Sequence, residues 1–255
     1  NPTSVAEIQD RLAAALAARR PLEIVGGGTK RFYGRPAAGA EPLPTGGLAG
    51  IVDYQPRELI CIVRAGTPLT DLEAALAKEG QMLAFEPPHW GAGATIGGTL
   101  ACNLSGPRRF KAGAARDHFQ GFSGVNGRGE AFKSGGRVVK NVTGFDLSKL
   151  LAGSFGTLAA LTDVTVKVMP KAEKIRTVLI CGLTPEAGVA AMRDALGSAH
   201  EVAAAAYLPP EAAKTSAATP WASSNRTRSL GPWLPKTASA SLGLKPLAYQ
   251  FSDSF

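Results

Sequence analysis

Three segments of this 255-residue sequence place glycines, hydroxyls and a cation at spacings that suit a phosphorylated, flat ligand. In the first, Gly26, Gly27 and Gly28 are followed by Thr29 and Lys30. Glycines let successive backbone N–H groups point into one concavity, and a lysine adds the positive charge that a phosphate or pyrophosphate requires. Two familiar nucleotide signatures are not met. Arg31 stands where G-x-G-x-x-G needs its last glycine, and Lys30 follows Thr29 without the P-loop spacing. On its residues alone this loop reads as an anion nest or as a tight turn.

The second segment, residues 91–106, interleaves small residues with Thr95, Asn103 and Ser105 and carries Gly97, Gly98 and Gly106. It reads as an extended stretch against which a flat ligand could lie, the hydroxyl and amide groups pairing polar atoms that burial would otherwise leave unsatisfied. A close-packed crossing of the core is the other reading. The third segment runs from Gly144 to Leu158 and holds Gly153-Ser154-Phe155-Gly156, a turn able to close over a ring or a polyol chain. Asp146 and Lys149 could equally be structural partners of that turn.

Residues 4–19 hold Val5, Ile8, Leu12 and Leu16 at helical spacing, with Pro21 as the stop, and residues 22–25 form a short strand that feeds the first glycine loop. Residues 59–63 read as a buried strand, after which Thr67 and Pro68 resemble the cap and first position of a helix that Gly80 ends. Thr184 and Pro185 repeat that grammar before a helix ending at Gly197. Residues 118–133 suggest a hairpin turning at Asn126-Gly127, and 157–168 a β-branched strand. A first domain should span 1–170. Residues 171–208 would begin a second α/β unit, and the proline- and serine-rich residues 209–255 should be a divergent, mostly irregular tail.

The formal charge of +8 and the basic residues between 108 and 140, among them Arg108, Arg109, Lys111, Arg116, Arg137 and Lys140, suit an anionic ligand or partner. No aromatic RNA-binding motif or basic recognition helix accompanies them, so nucleic acid is not expected. Cys61, Cys102 and Cys181 are odd in number and far apart, which supports neither a disulfide framework nor a metal site and fits a reducing cytoplasm. His89, His118 and His200 are isolated, and only His89, beside Trp90, could approach a ligand at the second segment. No uninterrupted apolar span long enough to cross a bilayer occurs, and Glu7, Asp10 and Arg11 disfavour a secretory signal.

Taken together, the phrases EIVGGGTK, ATIGGTLACNLSGPRRF with RDHFQGF, and VVKNVTGFDLSKLLAGSFGTLAALTDVTVKVMP resemble the vanillyl-alcohol oxidase, or PCMH-type, FAD-binding family. Within it they are most similar to the smaller, FAD-binding subunits of glycolate oxidases, over about residues 4–208. The resemblance implies an α+β fold of two α/β subdomains, followed by an incomplete cap-like unit. It implies that Gly26, Gly27, Gly28, Thr29 and Lys30 form a pyrophosphate loop. Thr95, Gly97, Gly98, Asn103, Ser105 and Gly106 would line the second half of an FAD site, with Gly153, Ser154, Gly156 and Leu161 near the flavin. Asp117 matches the family's acidic position, or caps a turn; Pro88 passes close to the dinucleotide, or stiffens its loop. Several members of the family tether FAD through a histidine in the first loop, where this chain has Thr29 and Lys30, so non-covalent FAD is expected.

The implied activity is that of a flavin subunit of a 2-hydroxy-acid dehydrogenase oxidising glycolate to glyoxylate. A larger flavin subunit and an iron–sulfur subunit would be its partners, with peripheral attachment to the inner membrane through that complex left open. A non-catalytic assembly subunit of the same complex and a single-chain sugar or alcohol oxidase are the alternatives. Catalytic residues are not identifiable from the sequence.

Overall fold

The computed structural model describes residues 1–35, 37–136, 145–214 and 247–253. Arg137, Lys140 and Gly144 therefore lie outside the described residues. The chain divides into two units, Asn1–Lys171 and Ala172–Phe255.

In the first unit, helix α1 (Val5–Ala17) begins where the Ser4 hydroxyl accepts a hydrogen bond from the Glu7 N–H at 3.3 Å. Strands β1 (Leu22–Val25) and β2 (Glu41–Pro44) pair in parallel. Next come β3 (Ile51–Gln55), β4 (Ile60–Arg64), α2 (Leu69–Lys78) and β5 (Gln81–Met82). Three short helices follow, α3 (Ile96–Ala101), α4 (Arg109–Ala112) and α5 (Ala115–His118). The hairpin β6 (Phe119–Asn126) and β7 (Ala131–Gly135), helix α6 (Leu147–Leu151), β8 (Ala159–Lys167) and β9 (Met169–Pro170) complete the unit. Five of the strands form one antiparallel sheet in the order β3-β4-β8-β6-β7, and β5 pairs with β9.

Strand β8 shows how the sheet acquires two packed faces. Successive side chains point to opposite sides, so Ala159 and Leu161 join the larger core with Leu69, Leu72 and Leu76 of α2 and Ile96 and Leu100 of α3. Ala160 points the other way and joins Ile8 of α1, Leu43 and Val125. Burying Leu69, Leu72 and Leu76 completely fixes α2 against the sheet; losing one such leucine costs roughly 2–5 kcal/mol.

Three local expectations are corrected. Pro68, not Thr67, occupies the cap position of α2, because the Thr67 hydroxyl is drawn back to accept from Gly50 N at 2.9 Å and donate to Arg64 O at 2.7 Å. The hairpin turn spans 127–129 rather than Asn126-Gly127. Gly129 takes the left-handed position at φ +81°, while the Asn126 carboxamide oxygen accepts from Arg128 N and Glu130 N at 2.9 and 3.1 Å. Lastly, the second glycine segment is not extended throughout. Thr95 accepts from Gly98 N at 3.3 Å and starts α3, and the Thr99 hydroxyl donates to Thr95 O at 3.0 Å.

In the second unit, Thr184 caps helix α7 (Pro185–Leu196) and accepts from Ala187 N at 3.3 Å, with Pro185 in the first turn. Strands β10 (Lys174–Ile180) and β11 (Val202–Tyr207) flank that helix in sequence, and α8 (Pro210–Lys214) follows. Strand β12 (Leu247–Asp253) inserts between β10 and β11 and is antiparallel to both. Helix α8 and strand β12 lie within residues 209–255, the stretch expected to be mostly irregular. Ladders on both flanks define β12, whose own alternation of Leu247, Tyr249 and Phe251 is short.

Among the described residues no helix is long and apolar enough to cross a membrane. The antiparallel sheet with helices packed on its faces is an α+β architecture.

Candidate functional site

A cleft of about 250 Å³ opens in the first unit where the end of β1, the loop 26–31, the start of α3 and the turn 155–157 meet. Close passage of the chain against itself builds its walls. A Cβ on Gly27 would strike the carbonyl of Gly93, and one on Gly26 would strike the Thr95 hydroxyl. At Gly97 a Cβ would come within 2.7 Å of the Cβ and the carbonyl oxygen of Ala65. These three glycines are thus required by close contacts within the chain, and Gly28 by its φ of +70°.

What the first loop offers a ligand is a set of unanswered donors. Among the described residues the backbone N–H groups of Gly26, Gly27, Gly28 and Thr29 have no hydrogen-bond partner. The Lys30 ammonium is half-buried and has no carboxylate partner among the described residues, only a 3.4 Å contact to the Thr29 hydroxyl. Burial lowers the lysine's proton affinity below its ordinary value, and the nearby Cys102 partly opposes that shift. A half-buried, unpaired cation beside orphaned N–H groups is a site whose free energy improves when an anion enters. Gly98 faces the same point, since a Cβ there would lie 3.9 Å from Lys30 Nζ.

Of the residues expected at the site, Gly26, Gly27, Gly28, Thr29, Lys30, Thr95, Gly97, Gly98, Gly156 and Leu161 line the cleft. Others lie elsewhere. Asn103 Oδ1 accepts from Arg116 N at 3.0 Å, Ser105 Oγ from Ala115 N at 2.9 Å, and Asp117 Oδ2 from Ala114 N at 2.8 Å. All three side chains tie down the start of α5. The capping alternative for Asp117 is the one that the geometry displays. Gly106 donates its N–H to Phe85 O at 2.9 Å, and a Cβ on it would strike the Glu86 carbonyl. Pro88 is half-buried in the loop before Trp90 and does not line the cleft. Gly153 and Ser154 shape the turn before β8, with Gly153 at φ +84° and the Ser154 carbonyl accepting from the Thr157 hydroxyl at 2.7 Å. His89 turns away to Glu73, 3.0 Å from its carboxylate.

Several lining residues went unnoticed in the sequence: Tyr33, Arg35, Thr45, Ala65, Cys102 and Phe155. Only Phe155 carried a signal, as an aromatic inside Gly-Ser-x-Gly. It adopts φ +55°, a region bulky residues rarely enter. The cysteines are free, and burial pushes the Cys61 thiol up to about 12, so Cys61 is an inert core residue.

The family described as FAD binding domain is matched over residues 1–135 of the chain. The chain belongs to the FAD-binding domain family. It is similar to glycolate oxidase subunit GlcE of Escherichia coli K12, at 46% identity over 162 residues that cover 64% of this chain and 46% of that protein. A D-lactate dehydrogenase of Archaeoglobus fulgidus is 34% identical over 205 residues, covering 79% of this chain and 44% of that one. The fold is also that of an alkyldihydroxyacetonephosphate synthase, with a TM-score of 0.65 at 21% identity over 80% of this chain and 37% of that one. This member of the FAD-binding family spans less than half the length of each of these relatives. The residues of the cleft fit the family's ligand, because a half-buried lysine without a carboxylate beside N–H groups without a protein partner suits the pyrophosphate dianion of FAD.

Proposed function

We propose that this chain is the FAD-binding part of a flavin subunit in a complex that oxidises a small 2-hydroxy acid, glycolate, to glyoxylate. The observation that carries the reading is the 46% identity to a protein named glycolate oxidase subunit GlcE. A second relative bears the name glycolate oxidase subunit GlcD. When bound, FAD would take up the two electrons released as the alcohol carbon becomes a carbonyl. The chain's own part is to hold and orient the cofactor. Lys30 and the N–H groups of residues 26–29 would bind the pyrophosphate, with Thr95 and Gly98 forming the facing wall.

The cofactor would be held without a covalent bond, since Thr29 and Lys30 occupy the loop position at which some members of the family carry a tethering histidine. Precipitating the protein with acid tests this. Yellow flavin should pass into the supernatant, and colour kept in the pellet contradicts it. The partners in this reading are a larger flavin subunit and an iron–sulfur subunit, the complex residing in the cytoplasm or at the inner face of a membrane.

The activity is tested by following dye reduction with glycolate, with the chain alone and with the partner subunits co-expressed. Glycolate-dependent reduction that requires this chain supports the reading. A flavin-loaded chain that joins the complex, yet leaves its glycolate turnover unchanged when omitted, contradicts it.

A further inference from the structure

Lys30 has the surroundings of a nucleophilic amine as well as those of a phosphate-binding cation. It lines the cleft half-buried, and its only polar contact is the Thr29 hydroxyl at 3.4 Å. Among the described residues the one carboxylate of the cleft wall, Glu23, is taken by Arg31 at 2.6 and 3.0 Å. Nothing acidic therefore holds Lys30 in its charged form. Burial favours the neutral amine, and only that form has the lone pair that attacks a carbonyl. Desolvated lysines of this kind are the ones that form Schiff bases.

The groups beside the amine select a particular kind of carbonyl compound. The N–H groups of Gly26, Gly27, Gly28 and Thr29 have no protein partner among the described residues. A turn of such groups holds a carboxylate as readily as a phosphate. Gly98 keeps the facing wall free of a side chain, since a Cβ there would lie 3.9 Å from Lys30 Nζ.

We propose that Lys30 is also a covalent modification site. In the flavin-free chain its amine condenses with a small aldehyde bearing an anionic group, and the N–H groups of residues 26–29 hold that anion. The proposed oxidation of glycolate would release one such aldehyde, glyoxylate, and this choice of aldehyde rests on that functional reading. The lone pair of Nζ forms a bond to the aldehyde carbon, and the carbonyl oxygen becomes the hydroxyl of a carbinolamine. Both protons of the neutral amine then leave with that oxygen as water, giving an imine with no exchange of electrons. The cleft has thereby traded a cation for a carboxylate, so the adduct and the pyrophosphate of FAD exclude each other. The product of the reaction thus restrains cofactor loading of flavin-free chain.

The test treats the full chain, freed of flavin, with glyoxylate and cyanoborohydride, which reduces the imine to a stable carboxymethyl amine. Peptide mass mapping compares Lys30 with the exposed Lys78 and Lys174. Anchoring the carboxylate makes the attack effectively intramolecular, so Lys30 should be labelled at least about 10-fold faster than either. Saturating FAD should remove that lead, and acetaldehyde, which lacks the carboxylate, should show a lead at least about 3-fold smaller. Chain labelled at Lys30 should bind FAD at least about 10-fold more weakly. Labelling of Lys30 no faster than that of Lys78, an equal lead with acetaldehyde, a lead that FAD leaves intact, or normal FAD binding by labelled chain each overturns the proposal. Unlabelled chain that binds no FAD contradicts instead the reading of the cleft as a flavin site, while the labelling ratios still decide the aldehyde site.

Discussion

Two regions of the first unit hold residues expected at the ligand, and they use their polar groups in opposite ways. Around residues 26–30 the N–H groups of 26–29 have no partners among the described residues, and the Lys30 ammonium has only the Thr29 hydroxyl at 3.4 Å and no carboxylate. Around residues 103–117 the side chains of Asn103, Ser105 and Asp117 each accept a backbone hydrogen bond at 2.8–3.0 Å and close the turn into α5. Both set small residues beside hydrogen-bonding groups. Satisfaction of their hydrogen bonds separates them, because a polar group already answered within the fold has little left for a ligand, while one that no protein group answers is free to meet it.

The sharpest way to break the contrast is at Gly27. Gly27→Ala places a methyl group on the Gly93 carbonyl, so it should cost roughly 2–4 kcal/mol and abolish FAD binding. Thermal unfolding and flavin content measure both. An alanine variant with unaltered melting and flavin content would show that the loops do not need their close approach.

Lys30→Met should weaken FAD binding roughly 10- to 100-fold, the value of a charge-assisted hydrogen bond, while leaving melting unchanged or slightly raised. The gain arises because an unpaired, half-buried cation is removed. A pH series sharpens this. Burial holds the folded-state pKa of Lys30 below the ordinary 10.5, so without ligand its charge costs stability below that folded value. The cost is relieved as pH rises from the folded value toward 10.5, because the unfolded chain then binds more protons. FAD affinity should fall over the same alkaline range and should not fall in Lys30→Arg, which keeps its charge.

The smallest expected effect lies in the second region. Ser105→Ala removes the acceptor for Ala115 N, which should cost about 1 kcal/mol of stability and change FAD affinity by no more than a few-fold. A large loss of affinity at full stability would place Ser105 on the ligand and erase the distinction between the two regions.

The sequence displayed those parts of the fold whose signals are local. Helix α1 has its Ser4 cap and apolar stripe, and α7 has Thr184 and Pro185, so both were readable from neighbouring residues. Strand β2 was not, because Pro42 and Pro44 break the strand pattern and only pairing with β1 defines it. Strand β12 was hidden for a related reason, its partners lying far back in the chain. The same rule governs the site. The glycine loop and Lys30, which line the cleft, were legible because they adjoin one another in sequence. Tyr33, Trp90 and Phe155 meet only after three segments are brought together, so this aromatic cluster had no signature at the level of spacing.

The central claim, that Lys30 and the orphaned N–H groups of residues 26–29 hold the pyrophosphate of FAD, is tested most directly by titrating FAD into the purified chain and into Lys30→Met. Their visible spectra and melting curves are recorded together. The account expects a yellow, stabilised wild-type protein that binds one FAD, and a folded variant that binds it at least about 10-fold more weakly. A folded wild-type chain that stays colourless, or a Lys30→Met variant with wild-type affinity, would contradict it.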